Sequence, residues 1–262
     1  MRLLDSKACR FYCISLSEQS ERHQHILSLS RQWGVHIEFV PAISGQALSE
    51  QDLQASGYYW DASMTRWPLQ ANEIACLLSH RKALEAFLQS DAEYGVVFED
   101  DAEFDQRLLN VIPQLVKIPI WDAVKLEHRP GQVAGFAVAH WQDIQMITPS
   151  RAGLGATGLL YRRLGALKVL QMSQRFAVAF DTQFNYAWRH QLNLLQLFPG
   201  VVWESQRTET SIGSRSPKSM HRQRFDVLRH RIGRWHVAMA RRIYAWKTAQ
   251  KIRRECARLG LQ

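Results

Sequence analysis

A chain of 262 residues, 46% hydrophobic and 22% charged, can bury one substantial core, or one core with an appendage. Its net charge of +9 is uneven: from Ser214 onward fourteen Lys and Arg face only Asp226 and Glu255, a net +12, which leaves the first 213 residues at about −3. That balance excludes a uniformly basic nucleic-acid binder and divides the chain into a slightly acidic body, residues 1–213, and a basic tail, residues 214–262. Four cysteines, Cys9, Cys13, Cys76 and Cys256, include no second Cys or His pair to complete a structural zinc site, and their sparseness suits a reducing compartment. The first residues hold no apolar run of signal-peptide length, and no stretch of 18 apolar residues occurs. The expectation is a cytoplasmic protein, peripheral on a membrane at most.

Taken in chain order, residues 9–16 are a short apolar run, expected as a strand leading into a helix. Ser17 is the expected N-cap, Glu18 and Glu21 lie in the first turn, and Gly34 is the expected C-cap. Residues 36–40 read as a second strand, completing a strand–helix–strand unit of the kind that builds parallel sheets. Residues 44–68 read as irregular. A helix is expected over 72–89, then a continuous apolar strand over 94–98 that ends in Glu99-Asp100-Asp101. Further strands are expected at 123–126, 144–148 and 191–198, a turn at 153–158, and helices at 164–172 and 184–188. The body is therefore α/β, with a central, mostly parallel sheet.

The acidic triplet is the sharpest chemical feature. Open α/β sheets bind ligands at the carboxyl ends of their strands. Adjacent carboxylates there repel one another, and a hard divalent cation with oxygen ligands relieves that repulsion. A solvated acidic turn capping a helix near 103–109 fits the same residues.

Two segments taken together resemble glycosyltransferase family 25, the bacterial lipopolysaccharide glycosyltransferases. They are Asn72-Glu73-Ile74-Ala75-Cys76-Leu77-Leu78-Ser79-His80, and the apolar strand ending in Glu99-Asp100-Asp101. Weaker similarities lie in Tyr12 to Leu16 with Glu21-Arg22, in Phe39 to Gly45, in Trp121-Asp122-Ala123-Val124-Lys125-Leu126, in 153–161, and in Phe180-Asp181-x-x-Phe184. The sequence departs from the family pattern at Asn72 and Ala75, where glycines are usual, and at Thr182, where a His often follows the Asp. The resemblance implies a GT-A-like nucleotide-sugar-binding domain, a UDP-hexose donor, a lipid-linked lipopolysaccharide-core acceptor and Mn²⁺ or Mg²⁺. It places Glu99 and Asp101 as metal ligands, and Ser15, Arg22, Ala42, Glu73, Ser79, His80, Asp100 and Lys125 toward the donor.

Inversion by direct displacement needs a base at the acceptor hydroxyl. Asp181 is the candidate, because the apolar run before it could hold it at a strand end; a helix N-cap is the competing role. His80 fits donor contact or simple packing, and Lys125 fits phosphate contact or an edge-strand charge. Gly153-Leu154-Gly155-Ala156-Thr157-Gly158 matches a dinucleotide fingerprint in form only, since 148–152 does not read as a strand. A turn admitting close backbone approach is the preferred reading. In the tail, Phe225, Leu228, Ile232, Trp235, Met239, Ile243 and Trp246 recur at helical spacing with arginines between. That helix fits an anionic inner-membrane surface or docking on the body better than non-specific nucleic-acid binding. The rival functions are a metal-dependent phosphohydrolase and a non-catalytic membrane- or nucleic-acid-binding protein.

Overall fold

The computed structural model describes residues 8–128, 134–205 and 224–260, with side chains in the last stretch from Trp235 onward. The chain opens with β1 (Cys9–Ser15), α1 (Glu21–Trp33) and β2 (Ile37–Pro41). Ser20, rather than Ser17, caps α1: its hydroxyl accepts the His23 N–H at 3.1 Å. The Ser17 carbonyl instead accepts from Ser20, in a turn that delays the helix by three residues. Gly34 closes α1 at φ 65°, as its position demands.

The stretch read as irregular holds a short helix, α2 (Glu50–Ala55), fixed by a Ser49–Asp52 capping box. Next come α3 (Ala71–Gln89), β3 (Tyr94–Glu99), β4 (Ala102–Phe104) and α4 (Gln106–Lys117), the last capped by Asp105. A strand therefore follows the acidic triplet before any helix begins. After β5 (Ala123–Lys125) come β6 (Ala134–Trp141), β7 (Ile144–Arg151), β8 (Gly158–Arg162), α5 (Arg163–Gln174) and α6 (Phe180–Gln183). A 3-10 turn over Phe184–His190 leads to β9 (Leu194–Phe198), β10 (Val202–Glu204) and α7 (Arg224–Arg258). The expected helix at 184–188 is this tighter turn.

The large sheet has the order β2-β1-β3-β8-β5-β9-β7-β6, and β4 pairs with β10 beside it. β2, β1, β3, β5, β9 and β6 run one way; β8 and β7 run against them. The sheet is thus mixed. β8 enters antiparallel between β3 and β5, which separates the opening parallel unit from the later strands.

Alternation along the strands sends side chains to two cores. On one face Phe11, Cys13, Val96, Phe98, Val124 and Leu160 meet α4 and α1. On the other, Tyr12, Ile14, Val97, Leu159 and Tyr161 meet α3 and α5 through Leu77, Leu84, Phe87 and Val169. Burying each such large side chain contributes about 1.5–3 kcal/mol. The result is a three-layer α/β/α body.

α7 lies against the far end of the sheet. Ala245, Ala249, Ile252 and Cys256 are among its buried residues, and Arg253 donates to the Ala137 carbonyl on the edge strand β6. The expected boundary at 213/214 lies outside the described residues.

Candidate active site

Because β1, β2 and β3 are parallel, their carboxyl ends share one edge of the sheet. Ser15 pairs with Pro41, and Ile14 with Glu99. The acidic triplet begins there. Arg22, in the first turn of α1, donates to Asp100 at 3.2 Å and stands 3.8 Å from Asp101. Both carboxylates are largely buried, with side chains 14% exposed. Burial raises the Asp100 carboxyl above its usual range, against the pull of Arg22. Burial, then the charges of Glu99 and Glu204, push Asp101 up to about 7, again opposed by Arg22. One oxygen of Asp101, Oδ1, is buried without a hydrogen-bond partner.

Glu99 has a different neighbourhood from the one expected of a metal ligand alone. Its Oε1 lies 3.1 Å from His80 Nε2 and 3.7 Å from Cys76 Sγ. Cys76 and His80 are one helical turn apart on α3, so both point at the same spot. Burial works against the Glu99 charge, but the His80 and Cys76 contacts and the charge of Lys125 hold its carboxyl below the usual range. The His80 ring stacks on Phe180 at 4.0 Å and 12°. Burial, followed by the charges of Glu99 and Asp181, raises the Cys76 thiol well above its ordinary value. The thiol therefore sits in the field of both Glu99 and Asp181. Among the described residues Cys76, His80 and Glu99 form the one group of mixed ligands, their donor atoms within 4.8 Å of one another.

Lys125 is not an edge-strand charge. β5 lies between β8 and β9, and the Lys125 side chain is fully buried. Its ammonium donates to Glu127 Oε1 at 3.0 Å and to the Gly155 carbonyl, and lies over the Phe184 ring. Glu127 Oε2 accepts the Thr157 N–H at 3.1 Å. This buried pair therefore shapes the 153–158 turn. That turn follows β7, which runs to Arg151, so a strand does precede it; but it leads into β8 rather than a helix, and the dinucleotide reading fails on that side. Asp181 sits in the first turn of α6, not at a strand end, and the N-cap of α6 is Ala179. Asp181 Oδ2 accepts the Gly155 N–H at 2.8 Å, and Oδ1 accepts from Thr182 at 3.0 Å.

Four of the expected donor-side residues are engaged in the scaffold. The Ser15 carbonyl accepts the Ala42 N–H at 2.9 Å, and its hydroxyl meets His23 Nδ1 at 3.2 Å. Glu73 is buried and accepts the Gln70 N–H at 2.9 Å, closing the start of α3. Ser79 donates to the Ala75 carbonyl at 2.7 Å and accepts the Ile43 N–H at 2.8 Å, tying the loop after β2 to α3. Arg22 stands beside Asp100 and Asp101, His80 bonds Glu99, the charge of Lys125 acts on Glu99, and Asp181 joins the group only through its charge on Cys76. Cys76, Glu127 and Phe180 belong to the same cluster and were missed. Two of them carried a signal: Cys76 is four residues before His80, and Glu127 is two after Lys125, the spacings of one helix face and one strand face.

A family model described as "Glycosyltransferase family 25 (LPS biosynthesis protein)" matches residues 8–184. A "Glycosyltransferase 25 family member" of Aedes aegypti is 30% identical over 122 residues, covering 43% of this chain and 20% of that protein. One from Anopheles gambiae is 26% identical over 200 residues, covering 68% of this chain and 32% of that protein. "Procollagen galactosyltransferase 2" of Homo sapiens is 23% identical over 178 residues, covering 64% and 27%. The chain thus spans a third or less of the length of these curated relatives. The matched span takes in α3, the acidic triplet and Asp181, and the chain belongs to glycosyltransferase family 25.

Proposed function

We propose that this chain is a hexosyltransferase with a GT-A-like domain at residues 1–213. It moves galactose from a UDP-hexose to a hydroxyl of a lipid-linked, lipopolysaccharide-type saccharide, with inversion. The observation that carries this reading is the carboxyl-end cluster: Asp100 and Asp101 crowded at the end of β3 beside Arg22, with Asp181 near the same centre through Cys76. The family description supports the acceptor class, and the procollagen galactosyltransferase supports the sugar.

The acidic triplet offers a hard divalent cation one unengaged oxygen, on Asp101, while Glu99 turns to His80 and Cys76. Asp101 Oδ1 is a buried oxygen without a partner, and both Asp100 and Asp101 are destabilised as anions by burial. Asp101, with Asp100 beside it, would hold Mn²⁺ or Mg²⁺, and Glu99 would join them by turning from His80 and Cys76. Such an ion supplies Lewis acidity toward the charge that develops on a departing diphosphate. Arg22 adds positive charge beside the same carboxylates. Asp181, oriented by the Gly155 N–H, takes the proton of the acceptor hydroxyl as the new glycosidic bond forms. His80, stacked on Phe180, fixes the Glu99 carboxylate.

The test is thermal shift and transfer with UDP-, GDP- and CMP-hexoses, each with and without Mn²⁺. A ligand that binds only the folded protein raises its melting temperature. UDP-galactose with Mn²⁺ gives the largest shift and transfers sugar to a lipopolysaccharide-core acceptor. No shift and no transfer with any nucleotide sugar sinks the proposal.

A further inference from the structure

α7 is amphipathic twice over, and among the described residues its large apolar stripe is left exposed while another face packs on the protein. The face buried on the sheet is made of small or slender residues, Ala245, Thr248, Ala249, Ile252 and Cys256. Apart from Ile252, the large apolar residues lie elsewhere. Trp235, Met239, Ile243 and Trp246 are 68, 43, 47 and 49% exposed. Their spacing of four, four and three puts them in one stripe along the helix. The sequence continues that spacing upstream through Ile232, Leu228 and Phe225.

A second row follows the stripe. Lys247, Lys251 and Arg254 recur at spacings of four and three, one step round the helix, and Arg258 continues the row but pairs with Glu255 at 3.0 Å. Trp246 shares one surface depression with Lys247, Lys251 and Arg254, with Gln250 and Glu255 also on its rim, so the aromatic and three cations open onto the same surface beside a single carboxylate. No Asp or Glu stands between Asp226 and Glu255. Arg253 is spent on the Ala137 carbonyl and does not belong to this row. Among the described residues no helix is long and apolar enough to cross a membrane.

Exposed Trp, Met and Ile in a line are costly to leave in water, and a monomer rarely keeps such a patch without a use. Tryptophan suits the headgroup layer of a bilayer, where its apolar ring is buried and its N–H stays hydrated. The cations beside it match an anionic lipid surface and no neutral one. We infer that α7 is a membrane-surface helix: its Ala face holds the sheet, while its Trp–Met–Ile stripe enters an anionic leaflet flanked by the Lys/Arg row. This goes beyond the transfer reaction proposed above and does not depend on it, because lipid binding is measured without donor or acceptor.

The experiment is co-sedimentation of the full chain with vesicles of phosphatidylcholine alone and of phosphatidylcholine with phosphatidylglycerol in equal parts. The expected result is binding to the anionic vesicles that weakens with added salt, and little to the neutral ones. Each basic contact at such a surface contributes about fivefold in affinity, so Lys247→Gln with Lys251→Gln weakens binding roughly 30-fold. Trp235→Ser with Trp246→Ser abolishes it; both positions are exposed, and an unchanged circular dichroism spectrum checks the fold. Equal binding to neutral vesicles, or full binding by the double-Trp variant, overturns the proposal. So does lipid-free dimerisation that the double-Trp variant abolishes, since the stripe then serves a second copy of the chain. Transfer to a soluble acceptor stays unchanged in all these variants, which separates a failure here from a failure of the transferase reading.

Discussion

Asp181 accepts a hydrogen bond from the Gly155 backbone N–H at 2.8 Å, which ties the candidate base to a residue that has to be glycine. Gly155 has φ +95°, and a Cβ built there would lie 2.8 Å from Glu127 Oε2. The turn holds Asp181, and the buried Lys125–Glu127 pair holds the turn.

Asp181→Asn keeps an acceptor oxygen for the Gly155 N–H but removes the base. Transfer should fall roughly 100- to 10,000-fold, the usual share of a general base. Unfolding in urea should show little change, about 1 kcal/mol or less. Gly155→Ala should lower both activity and stability, the latter by on the order of 1–3 kcal/mol from left-handed strain and the clash. Initial rates and equilibrium unfolding decide it: full turnover in Asp181→Asn removes that carboxylate from the chemistry.

The Lys125–Glu127 pair predicts a non-additive result. Each partner is almost wholly inaccessible, at 0% and 4% side-chain exposure. Removing one leaves the other charge buried and unpaired, which costs about 3–5 kcal/mol. Lys125→Met and Glu127→Gln should each destabilise by about that much, and the double variant by clearly less than their sum. A double-mutant cycle from denaturant unfolding measures the coupling; simple additivity would show that the pair does not act as a unit.

Local signals carried the part of this site that local sequence builds. The opening strand–helix–strand unit, α3 and the apolar β3 with its acidic end follow from periodicity and caps, and the carboxylates fall where parallel strands end. What sequence could not show depends on distant chain segments. Lys125 and Glu127 gain their meaning only when the sheet order brings Gly155 and Thr157 beside them. β6 was invisible because Ala134–Trp141 is built of small and aromatic residues without alternation, and its exposure comes from its place at the sheet edge. α7 was read by its largest apolar residues, yet it docks mainly through small ones, because small side chains let a helix approach the sheet closely. From Trp235 onward the stripe that periodicity picked out is exposed, as expected of a surface-binding side rather than of a docked one.

Ser79 and Glu73 should behave as scaffold rather than as donor contacts. Ser79→Ala removes the acceptor for the Ile43 N–H, and Glu73→Ala removes the one for the Gln70 N–H. Each loss should cost about 1–2 kcal/mol. Below the lowered melting temperature, KM for the donor should stay within about twofold of the parent. A tenfold or larger rise in KM with unchanged stability would instead put that side chain on the donor.

Asp101 makes stability depend on pH with a definite sign. Its carboxyl stands at about 7 in the folded chain against an ordinary 3.8, so between those values the folded state holds a proton that the unfolded state has released. Stability then falls as pH rises. The penalty is absent below the unfolded value, grows through the interval and is complete above about pH 7, where it amounts to at most a few kcal/mol. Asp101→Asn abolishes this component. The difference in unfolding free energy between parent and variant should shift in favour of the variant from pH 5 to pH 8, when both are measured without divalent ions. Added Mn²⁺ should recover stability in the parent at pH 8, where the carboxylate is charged, and have far less effect on the variant. A parent and variant whose pH profiles run parallel, with equal responses to Mn²⁺, would show that Asp101 is neither protonated near neutrality nor a ligand.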